Sequence, residues 1–114
     1  MKSDKDMNVN DHQKWCKDFA IYPDVNTGND KELMYLTLGL VGEAGEVAEK
    51  IKKAYRDKEF DPEQIAYECG DVYWYLGQLL ERLGYTPGLV LAMNYNKLAS
   101  RKKRGKLSGS GDGR

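Results

Sequence analysis

The chain has 114 residues, 18 lysines and arginines against 18 aspartates and glutamates, and one histidine, so its formal net charge is zero. That length supports one hydrophobic core and not two, and 40% hydrophobic with 32% charged residues excludes a disordered chain. The apolar runs are too short for a membrane span, the polar start MKSDKDMNVND lacks the apolar region of a secretory leader, and Cys16 and Cys69 form neither a disulfide framework nor a CxxC pair, so a cytoplasmic protein with reduced thiols is expected.

Capping signals divide the chain into four helices. Asn10 or Asp11 opens a first helix over about 11–22, stopped by Pro23, and Val25–Asn29 reads as a polar loop. Asp30 opens a long second helix to about Asp57. Asp61-Pro62-Glu63, an N-cap followed by proline and an acid, starts a third helix that reaches Leu83, with Gly84 as its terminator. Thr86-Pro87 repeats the signal for a fourth, ending near Arg104 before Gly105. No segment alternates with period two, so the expected fold is all-α, a four-helix bundle. Residues 1–9 are expected to be disordered, 10–105 to form the helical domain, and 106–114 to be a Gly/Ser-rich tail, a candidate for ordering on substrate.

At about 100° per residue, Leu33, Leu36, Leu40, Val47, Ile51 and Ala54 share an arc of about 60° on the second helix, its core face. Glu43 projects at the edge of that stripe and Glu46 follows further round. On the third helix Ile65, Cys69, Val72, Leu76, Leu79 and Leu83 mark the core side, flanked by Glu68 and Asp71. Each acidic pair spans one turn, and two such pairs on facing helices converge four carboxylates. A carboxylate beside an apolar stripe costs several kcal/mol unless it is paired or holds a metal. All-oxygen donors select a hard ion, Mg²⁺ or Mn²⁺, and with His12 as the single histidine a zinc site is not expected. The plain alternative is that Glu43 and Glu46 pair with Lys50 and Lys53 on a wet helix face. ExxE followed by ExxD on successive helices favours the metal. Gly39, Gly42 and Gly45, with Gly70 and Gly77, crowd around these acids and suggest close helix approach around a ligand.

At these residues the chain resembles a known family. Gly42-Glu43-Ala44-Gly45-Glu46-Val47-Ala48-Glu49-Lys50, Glu68-Cys69-Gly70-Asp71-Val72-Tyr73-Trp74-Tyr75-Leu76, and Asn94 to Arg101 with Arg104-Gly105 and Gly109 to Asp112 are similar, in that order, to the MazG-like all-α nucleoside triphosphate pyrophosphohydrolases, particularly their compact phage and bacterial members. The likeness spans about residues 10–114. Gly42 stands where the family often has the first Glu of EExxE, a departure shared by the branch resembling dCTP pyrophosphatases. A phosphoribosyl-ATP pyrophosphatase shares the fold logic, but the ending is more MazG-like.

The resemblance implies Mg²⁺-dependent hydrolysis (Mn²⁺ as substitute) of a nucleoside triphosphate to the monophosphate and pyrophosphate, in nucleotide-pool control or house-cleaning, in the cytoplasm (the host's if the chain is phage-encoded). It assigns Glu43, Glu46, Glu68 and Asp71 as metal ligands, and Asn94, Lys97 and Arg101 as phosphate contacts. Glu46, or otherwise Glu43, is the candidate base for the attacking water. Lys53 is the best-placed phosphate contact in the run Lys50, Lys52, Lys53, Arg56, otherwise a solvated face. Trp15, Tyr35, Trp74 and Tyr75 are candidates for base stacking, though aromatics at helical spacing are usually core. His12 reads as a surface or capping residue and Cys69 as packing.

Residues 97–114 carry Lys97, Arg101, Lys102, Lys103, Arg104, Lys106 and Arg114 against Asp112, so the body before them is acidic. A non-catalytic helical interaction protein, or a nucleic-acid-binding module using the basic tail, is the competing reading; the acidic body argues against the second. Tyr73, Trp74 and Tyr75 spread over about 200° of one helix, and Leu89, Val90, Leu91, Met93 and Tyr95 surround most of another. Helices apolar on several sides need several partners, so a homodimer or dimer of dimers is expected.

Overall fold

The computed structural model describes residues 6–105. Its elements are α1 (Val9–Trp15), a 3-10 turn (Cys16–Phe19), α2 (Asp30–Asp57), α3 (Pro62–Arg82) and α4 (Pro87–Lys103), with no strand among the described residues. The all-α expectation holds. The tail 106–114 lies outside the described residues, as do residues 1–5.

Three of the four helices begin and end within a residue or so of the capping signals. Asn29 rather than Asp30 caps α2, its side chain accepting from the Glu32 N–H at 2.9 Å. Asp61 and Thr86 cap α3 and α4, each with proline in the first turn, and Gly84 and Gly105 take positive φ beyond the ends. The first helix is the correction. It starts at Val9 because Asn8, not Asn10 or Asp11, accepts from the Asp11 N–H at 2.8 Å, and it ends at Trp15 rather than near residue 22. Its last carbonyls are taken by other chain segments: Trp74 donates its indole N–H to the Cys16 carbonyl at 3.0 Å, and Gln78 donates to that of Gln13 at 3.2 Å. Asn10 has a different task, its side-chain oxygen accepting from the Gly88 N–H at the start of α4 at 2.8 Å.

The α2 and α3 helices pack side by side as an antiparallel hairpin, and α1 lies between α3 and α4. Gln13 is the pin of that joint, donating to the carbonyls of Gly77 (2.8 Å) and Tyr85 (3.0 Å). The core of one chain is thin. Leu36 and Tyr22 are its buried hydrophobic residues among those described, while Leu33, Leu40, Val47, Ile51 and Ala54 are half-buried. On α3, Leu76 and Leu83 of the expected core stripe lie substantially exposed. The radius of gyration is 16.8 Å, against about 13 Å for a compact domain of this length. Within this chain α4 rests chiefly on α1, leaving Leu89, Leu91, Met93 and Tyr95 exposed.

Candidate metal centre

The hairpin brings three of the four expected acids together. Glu43 of α2 and Glu68 and Asp71 of α3 each offer a carboxylate oxygen, all within 4.8 Å of one another. Glu43 and Glu68 are half-buried and Asp71 is exposed. Burial, then the charges of Asp71, Glu46 and Glu68, push the Glu43 carboxyl up from its ordinary value. Glu46 therefore acts on the site electrostatically while standing outside the close triad, on the exposed next turn. Carboxylates held this close repel one another, a divalent cation would offset that repulsion, and the all-oxygen donor set fits a hard ion.

The lysines do not neutralise the cluster in the way the plain alternative requires. Lys52 and Lys53 both pair with Glu49, at 3.2 and 3.6 Å, and Arg56 pairs with Asp57. Lys53, the expected phosphate contact, is thus engaged along its own helix. Lys50 is closer to the site, sharing a surface cleft with Glu68, Asp61 and Glu63. Asn94 and Lys97 are exposed on α4, and Arg101 is buried near its end. His12 lines an apolar groove of about 350 Å³ with Tyr73, Leu80 and Val90, and none of the acids of the triad lines it.

The crowding of glycines has a narrower cause than expected. A Cβ on Gly39 would overlap the ring of Tyr75, and one on Gly77 would touch Gln13, but those on Gly42, Gly45 and Gly70 would meet open space within the chain. Gly39 stands one turn before Glu43, and Tyr75 one turn after Asp71, so the ring forms a layer directly beside the carboxylates. Burial first, then Tyr35, Glu43 and Asp71, push the Tyr75 hydroxyl up. Tyr35 faces Tyr75 at 6.5 Å between ring centroids, and Trp74 meets Tyr75 edge-on at 5.0 Å. Sequence alone assigns Tyr35 and Tyr75 no distinct place beside the acids; their i,i+4 relation to Gly39 and Asp71 is the available signal.

The described chain is thus a helical protein whose α2–α3 hairpin gathers three carboxylates that could hold a cation. The family model of the MazG nucleotide pyrophosphohydrolase domain matches residues 31–105, which include all of α3 and α4 and nearly all of α2, and the chain belongs to that family. It is 45% identical over 114 aligned residues to the Gene 37 protein of Mycobacterium phage L5, covering 95% of this chain and all of that protein. No solved structure matches the chain. No helix among the described residues is long and apolar enough to cross a membrane.

Proposed function

We propose that this chain hydrolyses a (deoxy)nucleoside triphosphate to the monophosphate and pyrophosphate, using Mg²⁺, with Mn²⁺ as a substitute, in nucleotide-pool control in the cytoplasm. The observation that carries this reading is the convergence of Glu43, Glu68 and Asp71 inside a matched pyrophosphohydrolase domain. Those three side chains hold the metal, with Glu46 contributing from the adjoining turn. A bound divalent ion supplies charge neutralisation for the triphosphate and for the charge that develops as it is cleaved.

The residues of the chain account for the rest. Glu46 is exposed and outside the triad, which leaves a carboxylate oxygen free to accept a proton from water; Glu43 is the other candidate. The water oxygen bonds to the α-phosphorus, the bond to the bridging oxygen breaks, and pyrophosphate departs. Asn94 and Lys97 are assigned to the phosphates, with Arg101 and Lys53 as further cations.

The functional unit in this proposal is a homodimer or a dimer of dimers. On α2, Met34, Leu38 and Val41 are 62%, 69% and 65% exposed, on the side opposite Leu36, Leu40 and Val47. A helix apolar on two opposite sides needs a second partner.

The test is a pyrophosphate-release screen over canonical and damaged (d)NTPs with Mg²⁺ or Mn²⁺, followed by hydrolysis in ¹⁸O-water. The expected result is pyrophosphate in equal amount to a labelled monophosphate. Release of orthophosphate and a diphosphate, or no hydrolysis of any nucleotide, would overturn the reading.

A further inference from the structure

The most deeply buried charge in the described chain has no part in the reaction above. Glu32, in the first turn of α2, is fully buried. Its Oε2 accepts from the Tyr22 hydroxyl at 2.6 Å, the Asn26 N–H at 2.7 Å and the Arg82 Nε at 3.0 Å, and its Oε1 from the Gly28 N–H at 2.8 Å. Arg82 also donates to the Asn26 side-chain oxygen at 2.5 Å. Loop 22–28, in which Asp24, Asn26 and Gly28 all take positive φ, is thereby tied to the start of α2 and the end of α3.

The clamp does more than close a loop. It fixes Tyr22, whose ring stacks on Tyr35 at 4.5 Å and 14°. Tyr35 faces Tyr75, and Tyr75 fills the space over Gly39 beside Glu43 and Asp71. Along α2, residues 32, 35, 39 and 43 thus run turn by turn from the clamp to the carboxylates. On the opposite side of the acids, Lys50 presents charge beside Glu68. The aromatic side suits the nucleoside portion of a nucleotide, and the charged side its phosphates.

We infer that Glu32 is a positioning residue for the nucleotide site, holding loop 22–28 so that Tyr22 seats Tyr35 and keeps the Tyr35–Tyr75 wall beside Glu43 and Asp71. The inference rests on the hydrolytic reading of that site for its consequence, and on the hydrogen bonds and ring contacts for its existence. Removing the Tyr22 ring breaks the relay while leaving the Glu32–Arg82 pair. Tyr22→Phe keeps the ring and gives up one hydrogen bond.

The experiment compares Tyr22→Leu, Tyr22→Phe and Glu32→Gln in the full chain, reading kcat and KM, Mn²⁺ affinity, and the ring NMR resonances of Tyr75 without nucleotide. Tyr22→Leu is expected to raise KM about tenfold with kcat and Mn²⁺ affinity within about threefold of wild type, the signature of lost substrate positioning. Tyr22→Phe restores KM to near wild type. The Tyr75 resonances shift in Tyr22→Leu and in Glu32→Gln, and stay in place in Tyr22→Phe. Lowered thermal stability with unchanged KM would make the clamp merely structural and overturn the inference. Unmoved Tyr75 resonances in Tyr22→Leu would overturn it whether or not Glu32→Gln folds. A wild-type chain that hydrolyses no nucleotide, with Tyr75 still responding, would overturn the reaction and leave the relay standing.

Discussion

Tyr75 lies where the side chain of residue 39 would be. A Cβ built on Gly39 overlaps Cε1, Cδ1 and Cζ of that ring, so the glycine and the tyrosine are two halves of one contact. Glycine inside a helix costs about 1 kcal/mol relative to alanine, and here it makes room for an aromatic wall beside the acids. Gly39→Ala is therefore expected to destabilise the protein by about 1–3 kcal/mol through overpacking. Gly42→Ala, facing open space within the chain, is expected to be neutral or to gain up to about 1 kcal/mol. Urea midpoints of the two variants check this, and equal responses would show that Tyr75 is not held over residue 39.

Glu32 predicts a specific acid sensitivity. Burial alone raises its carboxyl pKa, but the hydrogen bonds from Tyr22, Gly28, Arg82 and Asn26 outweigh burial and hold it at about 2, against an ordinary 4.5. A carboxyl with a depressed folded pKa stabilises the fold fully above its unfolded value and loses that contribution as pH falls toward the folded one. The window is therefore pH 4.5 down to 2, and about 3 kcal/mol is at stake. Urea unfolding of wild type and Glu32→Gln from pH 7 to pH 2 should show a stability gap that closes across this window. A gap independent of pH would contradict the buried ionised form.

Much of the hairpin was readable because its signals are local. Asp61-Pro62 and Thr86-Pro87 encode their own helix starts, and the i,i+3 spacing of Glu68 and Asp71 puts both acids over one turn. The first helix was misread because its end depends on Trp74 and Gln78, 58 and 65 residues from the carbonyls they take. The Glu32 clamp was invisible for the same reason. An acid in the first turn of a helix looks like a capping residue, and nothing near it in sequence announces Arg82. Glycine crowding pointed correctly at Gly39, but only the packed hairpin distinguishes it from Gly42 and Gly45.

The acidic triad predicts opposite effects on activity and on metal-free stability. Glu43→Gln and Asp71→Asn each remove one negative donor from a cluster whose charges already push the Glu43 carboxyl up. Mn²⁺ binding and nucleotide hydrolysis should be lost. Without metal, relief of carboxylate repulsion should leave the fold as stable as wild type or more so. Because the Glu43 shift is upward, its ionisation weakens the metal-free fold as pH rises, the reverse of Glu32. The measurements are Mn²⁺ binding by electron paramagnetic resonance and unfolding in a chelator. Full activity of either variant at ordinary Mg²⁺ would end the metal-site reading.

The outer face of α2 predicts assembly. Met34, Leu38 and Val41 form a stripe that nothing in the described chain covers, and Gly45 continues it one turn beyond Val41 without a side chain to hold a partner away. The stripe lies on the face of α2 turned away from Glu43, so a second chain seated on it would pack against the back of the hairpin. A stable interface needs about 800 Å² from each partner, more than three side chains supply, and the exposed residues Leu89, Leu91 and Met93 of α4 offer further apolar surface. Light scattering at micromolar concentration is expected to give a mass of at least two 13.0 kDa chains. Leu38→Asp places a charge in the middle of the α2 stripe, where burying it unpaired costs several kcal/mol, and should shift the mass toward one chain while lowering stability. Tyr55→Asp, at an exposed position near the far end of α2, should leave the mass unchanged and serves as the control. A wild-type mass of one chain with full activity would refute the assembly, and a Leu38→Asp mass equal to wild type would move the interface away from α2.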